Sequence, residues 1–114
     1  MCYCISKLIQ RNAVKRDHCH QIKKLCQAIL TLKSEEEMCR FFKDLCTPGE
    51  LSDLSERWLV CCLLREGERS YREIHRLTGV SPTTIGRVAR FLREEDHGGY
   101  QIAFERLEGV EKER

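Results

Sequence analysis

The chain predicts an all-α fold of about six helices, and three observations carry that expectation. Apolar residues recur at helical period along almost the whole length, with no strand-like alternation anywhere. Helix-start signatures of the Ser/Thr-x-x-Glu kind recur at "SEEE", "TPGE" and "SYRE". Glycines stand where those runs stop, at Gly67, Gly79 and the pair Gly98-Gly99.

The elements follow in order. From about His18 to Lys33, Ile22, Leu25, Cys26, Ile29 and Leu32 form an i, i+3, i+4, i+7 stripe. Ser34 with Glu37 then reads as a capping box for a helix presenting Met38, Phe41, Phe42 and Leu45. Thr47 caps the next, with Pro48 at its first helical position and Glu50 closing the box. Its wide apolar face comprises Leu51, Leu54, Trp58, Leu59, Cys62 and Leu63, and Gly67 ends it. Ser70 with Glu73 opens a helix of about two turns in which Ile74 and Leu77 face inward, and Gly79 stops it. Ser81-Pro82 starts a further helix held down by Ile85, Val88, Ala89 and Leu92. "YQIAFERLEGVEKER" is amphipathic enough for the last.

Composition limits what these helices can be. With 114 residues, 33% of them charged and 41% hydrophobic, the chain is neither disordered nor a membrane protein. Its longest apolar run, Trp58–Leu64, is far short of the roughly 20 apolar residues that span a bilayer. The N-terminus "MCYCISKLIQRN" does not read as a signal peptide, so cytoplasmic localisation is expected. Eight cysteines could form a disulfide framework, but Cys26, Cys39, Cys46, Cys61 and Cys62 fall on or near apolar helical positions, as small reduced hydrophobes do. Cys2, Cys4, His18, Cys19 and His20 cluster more tightly than zinc ligands usually do. No metal and no cofactor is therefore expected, and residues 1–20 read as a disordered arm ahead of a domain spanning 21–114. No nucleophilic triad, paired carboxylate, Walker loop or dinucleotide glycine motif appears, which argues against an enzyme.

Charge supplies the functional pointer. The net charge is only +2, but residues 71–93 carry Arg72, Arg76, Arg87, Arg90 and Arg93 against the single acid Glu73. That basic block coincides with "SYREIHRLTGVSPTTIGRVARFLREE", two short helices cornered at Gly79. A helix-turn-helix, expected at about 70–94, has this form: a tight turn, then a second helix whose first turns meet base edges in the major groove. With Ile85, Val88 and Leu92 turned inward, the outer face is left to Thr83, Thr84, Gly86, Arg87 and Arg90. Threonine can meet a base edge or a thymine methyl, and arginine a phosphate or guanine. Double-stranded DNA is the expected partner. The alternative is a helical dimer that uses the hairpin on another protein, without specific DNA readout.

Leu45 to Leu92, "LCTPGELSDLSERWLVCCLLREGERSYREIHRLTGVSPTTIGRVARFL", resembles the Trp repressor core. The upstream "LCQAILTLKSEEEMCRFFKDLCT" resembles the YerC/YecD subgroup of Trp repressor-related regulators. The likeness runs from about Gln21 to Tyr100, most specifically in "FFKDLCTPGEL" and in the turn and helix G-V-S-x-x-T-I-x-R. It implies an intertwined homodimer whose two hairpins face successive major grooves of a palindromic operator, as a transcriptional regulator expected to repress. By the same similarity the base-facing positions fall on Arg72, His75, Pro82, Thr83 and Gly86. The family's corepressor pocket maps onto Thr47, Arg57, Thr84 and Arg87. Two departures oppose tryptophan there: Val88 replaces a glycine beside the second arginine, and Phe91 replaces a serine. Leu59 also stands in place of a basic residue. A different small-molecule effector, or none, is the expectation.

Overall fold

The computed structural model describes the backbone of residues 18–113 and side chains through residue 109. Six α-helices make up the described residues: α1 (His18–Leu30), α2 (Glu35–Leu45), α3 (Pro48–Glu66), α4 (Tyr71–Thr78), α5 (Pro82–Arg93) and α6 (Gly99–Glu113). No strand occurs among them. Most of the expected arm, including Cys2 and Cys4, lies outside the described residues. Its last three positions, His18 to His20, already belong to α1.

The chain divides into two compact units, Met1–Leu45 and Cys46–Arg114. The first is thinly packed. Neither α1 nor α2 has a buried residue. Of the predicted stripe, Ile22 is 58% and Leu25 37% exposed, and Ile29 and Leu32 are only half-buried. Cys26 and Cys39 are likewise exposed, contrary to their expected place as small hydrophobes in a core. The Ser34 box also closes differently. Ser34 Oγ accepts the Glu37 amide at 3.1 Å, but the Glu37 carboxylate accepts from Lys33 N–H at 2.8 Å, one residue earlier than the expected cap amide.

The second unit has a core of its own. Val60, Cys61 and Leu64 of α3, Ile74 of α4, Val80 of the turn, Ile85, Val88, Ala89 and Leu92 of α5, and Phe104 of α6 are buried together. Removing a side chain the size of Ile74 or Ile85 from water contributes about 1.5–3 kcal/mol. Both are fully buried, so the two short helices are held chiefly by these contacts. Two readings of this unit need correction. Leu77 is 56% exposed, because α4 turns Ile74 and then Thr78 inward. On α3 the deeply buried positions are Val60, Cys61 and Leu64, while Leu54 and Leu59 remain exposed. Trp58, Cys62 and Leu63 pack partly against the core, and Trp58 stacks on Phe104 with ring centroids 5.0 Å apart.

The helix ends form as the sequence implies. Thr47 Oγ1 accepts the Glu50 amide at 3.1 Å, the Glu50 carboxylate accepts the Thr47 amide at 2.8 Å, and Pro48 sits at the start of α3. This cap holds the Glu50 carboxyl below its usual range, the Thr47 backbone hydrogen bond being the largest cause. Ser70 and Glu73 make the same reciprocal pair at the start of α4.

Candidate nucleic-acid interface

The corner between α4 and α5 is closed by a chain of hydrogen bonds. Gly79 has φ 75°, a left-handed conformation that glycine takes without penalty, and its amide donates to the His75 carbonyl at 2.9 Å. Thr78 Oγ1 donates to the Ile74 carbonyl at 2.7 Å and accepts the Val80 amide at 3.1 Å. The His75 ring Nδ1 lies 2.7 Å from the Val80 carbonyl. Ser81 then caps α5, its hydroxyl accepting the Thr84 amide at 3.2 Å and donating to Thr84 Oγ1 at 3.0 Å. These bonds engage the side chains of Thr78, His75 and Ser81 in fixing the angle between the two helices.

A second brace comes from Arg93 at the far end of α5. Its guanidinium donates to Tyr71 Oη at 3.5 Å and to the Leu64 carbonyl at 3.4 Å, linking α5 to the start of α4 and the end of α3. In the sequence Arg93 stands out only as part of the basic block, and Tyr71 does not stand out at all. The signal was the tyrosine at the first position of α4, an aromatic body with a polar tip that needs a partner.

With the inner face pinned, the predicted reading positions stand outward. Arg72, His75, Pro82, Thr83, Arg87 and Arg90 are exposed, and Thr84 and Gly86 are half-buried. Arg72 makes no hydrogen bond or ion pair with the described residues. A Cβ built on Gly86 would meet nothing within 4 Å, so packing inside the chain does not require a glycine there. Arg87 and Arg90 are shelved rather than loose. Their guanidinium carbons lie 4.4 Å and 5.0 Å from the centroid of the Phe91 ring, and Arg90 Nε is 3.7 Å from the Glu95 carboxylate. Phe91 itself stacks on His97, with centroids 5.8 Å apart and planes within 8°.

The four residues of the expected effector pocket fall in different surroundings within this chain. Thr47 is engaged in the cap of α3. Arg57 and Thr84 line a polar cleft of about 250 Å³ with Asp53, Glu56, Gly79, Val80 and Ser81. Arg57 makes no ion pair there with Asp53 or Glu56. Arg87 instead lines an apolar cleft of about 340 Å³ with Phe91, His97, Gly98, Gly99 and Tyr100. Burial pushes the Tyr100 hydroxyl's pKa up, with a smaller opposing pull from Arg87 and Arg57. Among the described residues no cluster of three or more His, Cys, Asp or Glu is placed to hold a metal ion, and no helix is long and apolar enough to cross a membrane.

A glycine-cornered helix pair with a pinned inner face and a basic outer face defines the helix-turn-helix class of regulators. Residues 20–108 match the Trp repressor protein family, and the chain belongs to that family. It is 41% identical over 93 residues to the uncharacterized protein YerC of Bacillus subtilis strain 168, covering 82% of this chain and 88% of that one. A TrpR-like protein from Eubacterium eligens ATCC 27750 superposes with a TM-score of 0.72 at 42% identity, over 82% of this chain and 94% of the other. A proposed Trp repressor from Staphylococcus aureus gives 0.68 at 35% identity, over 78% and 87%. The family is a regulatory DNA-binding fold rather than an enzyme family, and this chain falls in its YerC-like subgroup.

Proposed function

We propose that this chain is a cytoplasmic, sequence-specific DNA-binding regulator, and a repressor by the way the family works. As a homodimer it inserts α5 into successive major grooves of a palindromic operator. One observation carries the reading: the face bearing Arg72, His75, Pro82, Thr83, Arg87 and Arg90 is open, while Ile74, Val80, Ile85, Val88 and Leu92 hold its back to the core. The second copy is supported by α1 and α2. Two helices of this length that bury none of their apolar stripe within their own chain are not stable alone in water. A partner's matching helices would complete that core and join 21–114 into one cooperative domain. Neither a cofactor nor tryptophan is needed in this reading, because Val88 belongs to the core and Phe91 supports two arginines. If an effector acts, its chemistry differs from tryptophan's.

The test is footprinting of genomic fragments across a salt series, with and without tryptophan and other amino acids. A reader that neutralises several phosphates loses affinity steeply as salt rises, with a log–log slope near −0.9 per phosphate contacted. A protected palindrome with such a slope, unchanged by tryptophan, is the expected result. Binding without a footprint and with a flat salt response would assign the hairpin to a protein partner instead.

A further inference from the structure

His75 touches the turn twice. Its carbonyl accepts the Gly79 amide at 2.9 Å, and its ring Nδ1 lies 2.7 Å from the carbonyl of Val80, five residues on. A carbonyl oxygen only accepts, so Nδ1 must carry the hydrogen and donate. This fixes the tautomer: in the neutral ring Nε2 is a bare lone pair. The residue is exposed and lies one helical turn from the exposed Arg72, which leaves Nε2 as the ring nitrogen not engaged by the turn.

That constraint decides what the ring can read. Phosphate oxygens only accept, as Nε2 does, so the neutral histidine cannot bind the DNA backbone through that atom. In the major groove, guanine presents acceptors at N7 and O6 and thymine an acceptor at O4, whereas adenine and cytosine present exocyclic amino groups as donors. We propose that His75 is both the latch of the turn and an acceptor-only reader, selecting an adenine or cytosine amino group at one position of each half-site. The proposal rests on the DNA-binding reading above and adds a base class to it.

Two substitutions separate the functions. In His75→Asn the amide nitrogen takes the place of Nδ1 and can keep the bond to Val80, but nothing reaches outward. In His75→Gln the amide oxygen reaches about as far as Nε2 and still accepts, but the latch is lost. Selection of bound duplexes from a random library, with the full chain and each variant, gives the base preference, and thermal melting of the same proteins gives the latch. The parent is expected to enrich a palindrome carrying A or C at one position per half-site. His75→Asn should lose about tenfold preference at that position alone while melting like the parent. His75→Gln should keep the preference and melt about 5 °C lower. An enriched parent motif that is identical in both variants, or that weakens equally at every position, overturns the reader. Equal melting of all three proteins overturns the latch. A parent that enriches no motif overturns the DNA reading itself, and base selection falls with it, while melting still decides the latch.

Discussion

Replacing Gly86 with alanine separates stability from recognition in a single methyl group. Gly86 is the fifth residue of α5, between the buried Ile85 and Val88 on the inner side. A glycine inside a helix costs about 1 kcal/mol relative to alanine, because the unfolded glycine has more freedom to lose. Here an added Cβ meets no atom within 4 Å, so no clash offsets that gain. Gly86→Ala is therefore expected to raise the melting temperature by roughly 4 °C or more. On the reading face the same methyl stands where the backbone would approach the duplex. Losing one close approach of that kind costs about 1–3 kcal/mol, or roughly 5–150-fold in affinity for the selected duplex. Melting curves and binding titrations on the same preparation measure both. A variant that is more stable and binds DNA as tightly as the parent would refute the close approach. A less stable variant would refute the placement of Gly86 on an unpacked face.

Arg72→Ala and Thr83→Ala should each reduce discrimination between operator and random duplex by about tenfold, whereas Lys23→Ala on α1 should leave it unchanged; competition titrations with the three variants check this. Glu50→Gln should remove part of the acid sensitivity of folding. The folded carboxyl titrates below its usual range, so its contribution is complete above the unfolded pKa and is lost as pH falls through the lower folded value; denaturant melts from neutral to acidic pH would show the variant losing less than the parent. Burial, with Cys62 adding to it, pushes the Cys61 thiol to about 11, so under native conditions alkylation followed by mass mapping should find Cys61 the slowest of Cys19, Cys26, Cys39, Cys46, Cys61 and Cys62. Labelling of Cys61 at the rate of Cys39 would show that the α3 core opens.

The helices and their starts were legible because their signals are local. A capping box needs only four residues, so Thr47 with Glu50 and Ser70 with Glu73 could be read without knowing the fold. The Ser34 box was half legible, since a glutamate reaching back can choose between two neighbouring amides. Burial was harder. Ile74 and Leu77 fit the same helical stripe, yet only Ile74 is buried, because two turns of helix leave room for one anchor and Thr78 takes the next inward place. The hydrogen bond from His75 to Val80 was not legible at all. It joins residues on opposite sides of a corner whose angle arises only once Ile74, Val80 and Ile85 share a core.

The positions where this chain departs from the tryptophan-binding pattern are also those that build its reading helix. A glycine and a serine at 88 and 91 would leave α5 with a thinner inner edge and no shelf beneath its arginines. As valine and phenylalanine they do two jobs within twelve residues: Val88 is fully buried against α3, and Phe91 lies under Arg87 and Arg90 while stacking on His97. An aromatic ring beneath two guanidinium groups limits where those side chains can swing, a role that a bound planar ligand between arginines could otherwise fill. The substitutions thus supply from within the chain what a corepressor would supply from outside. This is the physical basis for proposing that DNA binding here is independent of tryptophan.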